Sequence, residues 1–159
     1  MIIQKALTFR ASSIGDCLMG KYLLENIHEQ FPDARCGIVV ASRAAVFRDL
    51  FAAYPWLEVI EANRRNPKTL LSLWRRFNRS DVVVTQYAGK PGGVFSLGSK
   101  LAARALSKRG SLVGFDDVSK WNSILYDQLL PVCSDRAVVE HDRKALHAVG
   151  LSVSVSFPR

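Results

Sequence analysis

No apolar run in this sequence comes near the ~20 residues that a membrane-spanning helix needs. The opening residues, Met-Ile-Ile-Gln-Lys-Ala-Leu-Thr-Phe-Arg, read as a strand and lack the basic start, long apolar core and small-residue cleavage site of a signal peptide. Cysteine is scarce. Cys17, Cys36 and Cys133 are odd in number, widely spaced and mostly inside apolar patterns. They read as reduced, buried thiols of a cytoplasmic protein rather than a disulfide set or a metal site. His28, His141 and His147 fall in helical stretches without paired Cys or His spacing, so they read as surface residues and not as ligands. Repeats and low-complexity segments are missing as well. With 159 residues, 48% of them hydrophobic and 23% charged, the chain is one domain of ordinary composition that can bury a proper core.

Acid is also missing from the middle of the chain. Between residues 62 and 115 stand eleven basic residues and a single acid, Asp81, a local charge of +10 in a protein whose net charge is +8. The rest of the chain is therefore close to neutral. A one-sided block of this size implies an anionic partner, whether a phosphorylated small molecule, nucleic acid or a membrane surface.

What is present is alternation. Strand-like apolar runs at 5–10, 36–41, 57–62, 81–86 and 111–115 are separated by helical patterns at 14–31, 44–54, 68–78 and from 94 onward. Phe31-Pro32-Asp33 and Pro55 stop the first two helices. Leu70, Leu73, Trp74 and Phe77 fall on one face of the third helix, and Val94, Leu97, Leu101, Ala102 and Ala105 on one face of the fourth. Trp56, Trp74 and Trp121 read as core or cleft-edge residues. Residues 116–132 suggest a loop and then a short helix around 124–130. Ser134 is placed to cap a last helix that ends at Gly150, and 151–159 is a tail, a further strand or the start of a linker. Strand–helix alternation of this kind predicts an α/β fold, a Rossmann-like three-layer parallel sheet with helices on both faces over residues 1–150. Ligands in such sheets bind at the carboxyl ends of the strands. Three loops lie there: 10–16 with Asp16, 63–67 with Arg64 and Arg65, and 87–93 with Lys90.

The first of these loops, Arg10-Ala-Ser12-Ser13-Ile-Gly15-Asp16-Cys-Leu-Met-Gly20-Lys21, carries two competing patterns. Gly15-x-x-x-x-Gly20-Lys21 fits the first seven positions of a phosphate-cradling P-loop. The eighth position must be Ser or Thr to hold magnesium, and it is Tyr22. Asp16 would put negative charge where phosphates belong, and Asp81 begins its strand rather than ending it, so the second magnesium contact is missing too. The other pattern is a strand-to-helix turn that presents one carboxylate. Ser12 or Ser13 can cap the helix, and Asp16 then sits in the first turn, where the helix dipole favours an anion. Such a carboxylate can act as a general base on an acceptor hydroxyl or can merely neutralise the helix start. Spacing alone does not choose between these.

Arg10-Ala-Ser12-Ser13-Ile-Gly15-Asp16 after a first strand resembles the N-terminal signature of glycosyltransferase family 9, the lipopolysaccharide heptosyltransferases. Gln30-Phe-Pro-Asp-Ala-Arg35, Asn63-Arg64-Arg65, Asp81-Val-Val-Val-Thr-Gln86, Val113-Gly114-Phe115 and Ala148-Val-Gly150-Leu151 are similar to that family's segments in the same order. The family usually has a proline near the position of Gly20-Lys21, so the first helix departs from it locally. The resemblance implies the N-terminal half of a GT-B-type enzyme, the half that binds a phosphorylated, lipid-linked lipopolysaccharide core acceptor. The nucleotide-sugar donor, ADP-heptose in known members, would belong to a C-terminal half reached through 151–159. It implies Asp16 as the general base of an inverting transfer, with Ser12, Ser13 and Gly15 shaping its loop. Arg64 and Arg65 would hold acceptor phosphate or carboxylate groups, helped by Gln86 and Lys90. It also implies no metal, a cytoplasmic enzyme with room for peripheral contact with the inner membrane, and no transfer by these residues without the donor half.

A second expectation stands beside it: a non-catalytic α/β module that binds phosphorylated ligands or nucleic acid through the basic middle. Trp74-Arg75-Arg76-Phe77 would suit stacked bases and phosphates. Trp74 and Phe77 share the apolar helix face, however, so core packing is the stronger expectation and nucleic acid is not the expected partner.

Overall fold

The computed structural model describes residues 2–9, 14–63, 65–87, 95–117 and 119–156, Asp16 by its backbone only. Six parallel strands, β1 (Lys5–Phe9), β2 (Arg35–Val40), β3 (Leu57–Glu61), β4 (Val82–Thr85), β5 (Leu112–Phe115) and β6 (Gln128–Leu130), form one sheet in the order β3-β2-β1-β4-β5-β6. The connecting helices are α1 (Ile14–Gln30), α2 (Ala44–Leu50), α3 (Pro67–Phe77), α4 (Leu97–Leu106), α5 (Asn122–Leu125) and α6 (Val138–Ala148). The expected doubly covered parallel sheet is the one observed.

Successive strand residues point to opposite faces, and the core divides accordingly. Ala6, Ile38, Val84 and Val113 pack in one apolar cluster with residues of α1, α2 and α6. Leu7, Val39, Val83 and Leu112 pack in another with Leu73 and Phe77 of α3 and Ala103 and Leu106 of α4. Strands buried on both faces read as continuous apolar runs, which is why these four were legible. Gly37 of β2 lies directly beneath a side chain of α3: a Cβ built there would lie 2.5 Å from Cζ of Phe77, a fully buried ring.

Helix α1 is enclosed on nearly every side. Residues 20–27 are all buried, including Lys21, Glu25 and Asn26. Lys21 pairs with Glu25 and lies 3.9 Å from the centre of the Tyr54 ring. Asn26 accepts the backbone N–H groups of Ser154 and Val155 (both 2.8 Å) and donates to the Tyr22 carbonyl at 3.0 Å and the Val155 carbonyl at 3.3 Å. Residues 151–156 therefore run as an extended segment held by side chains of α1 and by the guanidinium of Arg143, and they form no strand.

Five sequence expectations are corrected. Residues 128–130 form β6 instead of continuing a helix; its three-residue run is too short to show a period. Ser134 is not a cap, because α6 begins at Val138 after Ala137, with residues 134–136 in a turn. The inward face of α4 is Lys100, Ala103 and Leu106, and Leu97 and Leu101 are exposed. On α3, Leu73 and Phe77 are buried, but Leu70 and Trp74 are exposed. The histidines also differ from expectation: His141 is fully buried, His28 is half-buried and stacked on Trp56 at 4.6 Å, and only His147 is exposed. Val94 lies outside the described residues.

At the amino ends of the strands, Asp81 accepts the backbone N–H groups of Gln4 (2.8 Å) and Lys5 (3.0 Å) and pairs with Lys108. Burial pushes its carboxyl up, but Lys108 and the two N–H groups outweigh that and hold it below its ordinary value of 3.8. A depressed folded-state value means stability that is present above pH ~4 and lost as pH falls through the folded value. Asp81→Asn should therefore lower the melting temperature at neutral pH and flatten the acid limb of a stability-versus-pH curve. Gly37→Ala should cost about 1–3 kcal/mol by forcing Phe77 aside, read as a drop in the denaturant midpoint; a neutral result would mean that α3 is free to shift.

Candidate active site at the open end of the sheet

In an open parallel sheet the natural crevice is where two neighbouring strands send their connections to opposite faces. Here that place is between β1 and β4, which pair through Phe9 and Thr85 at their carboxyl ends. β1 leads to α1 on one face and β4 to α4 on the other. The start of α1 therefore overlooks the crevice. Gly15 is exposed, and a Cβ at this position would meet nothing within 4 Å. Asp16 follows in the first turn, where unpaired backbone N–H groups and the helix dipole favour negative charge. Ile14, Leu18 and Met19 form an exposed apolar rim beside it.

Of the other expected site residues, Arg65 and Gln86 fall among the described ones. Arg65 stands on the loop after β3, at the same end of the sheet and two strands from β1, a lateral distance of ~10 Å. That loop is stiff. The Asn63 side chain accepts the Arg65 N–H at 2.9 Å, and the Asn66 side chain caps α3 through the Lys68 N–H at 3.2 Å. Pro67 follows at the first helical position, where its fixed φ suits a helix start. The Arg65 guanidinium is exposed and has no acidic partner among the described residues. Gln86 extends the β1–β4 ladder, its N–H donating to the Phe9 carbonyl at 3.0 Å, but its side chain is fully buried. Its amide nitrogen donates to the Gly20 carbonyl and to Asp142, both at 3.0 Å, tying α1 and α6 to the end of β4. Ser12, Ser13, Arg64 and Lys90, with the rest of loops 10–13 and 88–94, lie outside the described residues, as does the Asp16 side chain.

Lys21 settles the P-loop pattern against phosphate binding. A P-loop lysine must reach outward to phosphates, whereas Lys21 is buried against Glu25 and Tyr54.

Two features at this end of the sheet were not anticipated. The first is a polar cluster after β5. The ammonium of Lys100, 2% exposed, donates to both carboxylate oxygens of Asp117 and to the Asn122 carbonyl oxygen, each at 2.7 Å. A lysine has three N–H donors, so Lys100 is saturated and leaves the pool of cations open to a ligand. Burial pushes the Asp117 carboxyl up, and Lys100 and Asn122 outweigh it and hold it below its ordinary range. The signal was present: Lys100 shares helical phase with Ala103 and Leu106, and Asp116-Asp117 directly follows a strand. The second feature is an aromatic seat under the ends of β4 and β5, with Tyr87 stacked on His141 at 4.1 Å and Phe115 edge-on to His141 at 5.5 Å. His141 accepts the Cys133 N–H at Nε2, and its Nδ1 is 3.1 Å from the Ala137 carbonyl, an arrangement that requires the neutral ring with its proton on Nδ1. Burial, the main cause, lowers its pKa and agrees with that form.

No protein-family model and no curated protein matches the sequence. Two of the solved structures that share the fold are glycosyltransferases. One is the E. coli heptosyltransferase WaaC with ADP-2-deoxy-2-fluoro heptose, similar over 98% of this chain and 51% of that one, with a TM-score of 0.68 and 17% identity. The other is a glycosyl transferase family 9 protein from Veillonella parvula, similar over 100% of this chain and 45% of that one, with a TM-score of 0.69 and 12% identity. At such identities the likeness establishes the fold. The chain spans about half the length of these neighbours.

Because the space around Gly15 is open, Gly15→Ala should leave the melting temperature unchanged or raise it slightly, by the ~0.5–1 kcal/mol that alanine gains over glycine in a helix. A clear fall would show that the fold itself requires this glycine.

Proposed function

We propose that this chain is the acceptor-binding half of an inverting glycosyltransferase of the family 9 type. It would serve transfer of a heptose-type sugar from a nucleotide sugar to a phosphorylated, lipid-linked core acceptor. One observation carries the reading. The fold follows about half of a heptosyltransferase over essentially the whole of this chain, and the start of α1, where the stretch that resembles the family's N-terminal signature ends, overlooks the crevice of that fold. In this reading the chain is one half of a GT-B-type pair of domains, and ADP-heptose binds to the other.

The chemistry divides between two sites at the same sheet end. The carboxylate of Asp16 takes the proton of the acceptor hydroxyl as that oxygen attacks the anomeric carbon. The bond from the anomeric carbon to the diphosphate oxygen breaks, ADP leaves with the bonding pair, and the configuration inverts. First-turn placement suits the role, since the positive end of the helix dipole favours a negative charge there. Arg65, with Arg64 and Lys90, holds the acceptor's phosphate or carboxylate groups; a planar guanidinium makes paired hydrogen bonds to such oxygens. Ser12, Ser13 and Gly15 shape the loop. Gln86 serves from beneath, fixing α1 to β4 and so the position of Asp16 over the crevice.

Asp16→Asn, in a protein that carries both halves, should lower kcat by the ~10²- to 10⁴-fold that a general base contributes, with acceptor affinity and melting temperature unchanged. Unchanged turnover would remove Asp16 from the chemistry. Arg65→Ala should act differently, raising the acceptor KM by about ten-fold or more, the scale of a lost charge-assisted hydrogen bond, and leaving kcat nearly intact. Residues 1–159 alone, given ADP-heptose and acceptor, should transfer nothing; measurable transfer would overturn the division of labour between the halves.

A further inference from the structure

The outward face of α3 is left over from the active-site account. An 11-residue helix is ~16 Å long and turns about 100° per residue. Leu73 and Phe77 face the sheet. Going round the rest of the helix, Leu70, Trp74 and Leu71 come first and Arg75 and Lys68 next, so the exposed surface is half apolar and half cationic. Trp74 is 47% and Leu71 48% exposed. On α4, in the same helical layer, Leu101 and Leu97 are exposed too, at 50% and 41%.

The structure also sorts the cations of the basic middle. Lys100 is spent on Asp117, Arg104 on Asp127 (2.7 Å), Lys108 on Asp81 and Arg76 on Glu58 (3.1 Å). Lys68, Arg75 and Arg79 have no acidic partner among the described residues, and all three are exposed on α3 or at its carboxyl end. Arg79 has a φ of 55°, the left-handed region where glycine or asparagine is the low-cost choice after a helix. A long cation stands there instead.

We infer that the outward face of α3, extended by α4, is a docking surface for an anionic lipid bilayer. Leu70, Leu71 and Trp74 would enter the interface, and Lys68, Arg75 and Arg79 would meet acidic headgroups. Three considerations select this occupant. A surface helix with leucine and tryptophan beside lysine and arginine is the composition that lies in a membrane interface. A two-fold contact between copies would set this cationic strip against its own image. The apolar part is mainly aliphatic, whereas a single-stranded nucleic acid needs aromatic faces for its bases. The face goes beyond the transferase reading and does not depend on it, since vesicle binding requires neither Asp16 nor a donor. Its position is still consistent with a lipid-linked substrate: α3 begins immediately after the Arg65 loop, so the mouth of the crevice would border the bilayer.

Sedimentation of the full chain with vesicles tests this. Binding is expected to phosphatidylcholine vesicles containing 30% phosphatidylglycerol, to weaken with salt, and to be lost with phosphatidylcholine alone. Each of Lys68→Gln and Arg75→Gln should reduce partitioning about five-fold, the effect of one cation near an anionic surface. The control Arg136→Gln, on the turn before α6, should change nothing. Leu71→Ser with Trp74→Ser should abolish binding and leave the melting curve unchanged, because both residues are exposed. Arg79→Gly should weaken binding and not lower the melting temperature, which separates a surface role from a structural one. Equal binding to neutral vesicles, or full binding by the Leu71→Ser/Trp74→Ser protein, would overturn the inference. So would two other results in the absence of vesicle binding: oligonucleotide binding that those substitutions remove, or a dimer in sedimentation equilibrium that they dissociate.

Discussion

Everything at the functional end of this molecule depends on two strands lying side by side although they are far apart in sequence. β1 and β4 are the point from which the sheet was wound in both directions, and their pairing is secured at both ends. At the amino end the Asp81 carboxylate takes the N–H groups of Gln4 and Lys5, some 76 positions away. At the carboxyl end the Gln86 N–H continues the ladder to Phe9, and its side chain reaches Gly20 and Asp142. A slip of one residue would exchange the two faces of the strand, sending Ala6 and Val84 to the wrong core and carrying the start of α1 away from the crevice. The catalytic geometry proposed for Asp16 is thus inherited from a strand pairing and not made by its own loop.

Burial of α1 explains why so much polar chemistry sits inside. Over residues 20–27 the helix is enclosed by the sheet, by the segment around Tyr54 and Trp56, by α6 and by residues 151–156, and it has no wet side there on which to put a lysine. Its buried polar residues are matched instead: Lys21 with Glu25 and the Tyr54 ring, and Asn26 with the backbone of the tail. Removing one member of such a set leaves a desolvated partner behind, which costs more than the pair contributes. The same rule operates at the end of β5, where Lys100, Asp117 and Asn122 satisfy one another. Formal charge counted along the sequence therefore overstates the charge that the surface offers.

The sequence made the architecture legible because four strands buried on both faces announce themselves as apolar runs, and Pro32, Pro55 and Pro67 punctuate the helices. β6 was invisible, since three residues carry no period and Leu129 is exposed at the sheet edge. Helical phase was the other failure. On α3 and α4 the leucines outnumber what the sheet can cover, so counting apolar positions put Trp74 and Leu101 inside, when Lys100 is the residue that faces in. The position of the candidate site was readable, because small residues, a carboxylate and a following helix mark the turn after β1 directly. The Tyr87–His141 stack was not, as it joins residues that only the three-dimensional fold brings together, and the Lys100 cluster showed in the sequence only as a lysine in the inward phase of its helix.

Gly37 and Gly114 share a predicament. Each lies in a strand beneath an aromatic ring so close that a Cβ would fall 2.5 Å from Phe77 in one case and 2.2 Å from Tyr126 in the other. The ring of Tyr126 in turn holds its hydroxyl against Thr85 at 2.8 Å, under the end of β4. A side chain at either glycine must push the ring aside, and a smaller ring would leave a void above bare backbone. Over evolutionary time such a pair is constrained as one unit: a larger residue at the glycine costs least where the ring has already become smaller.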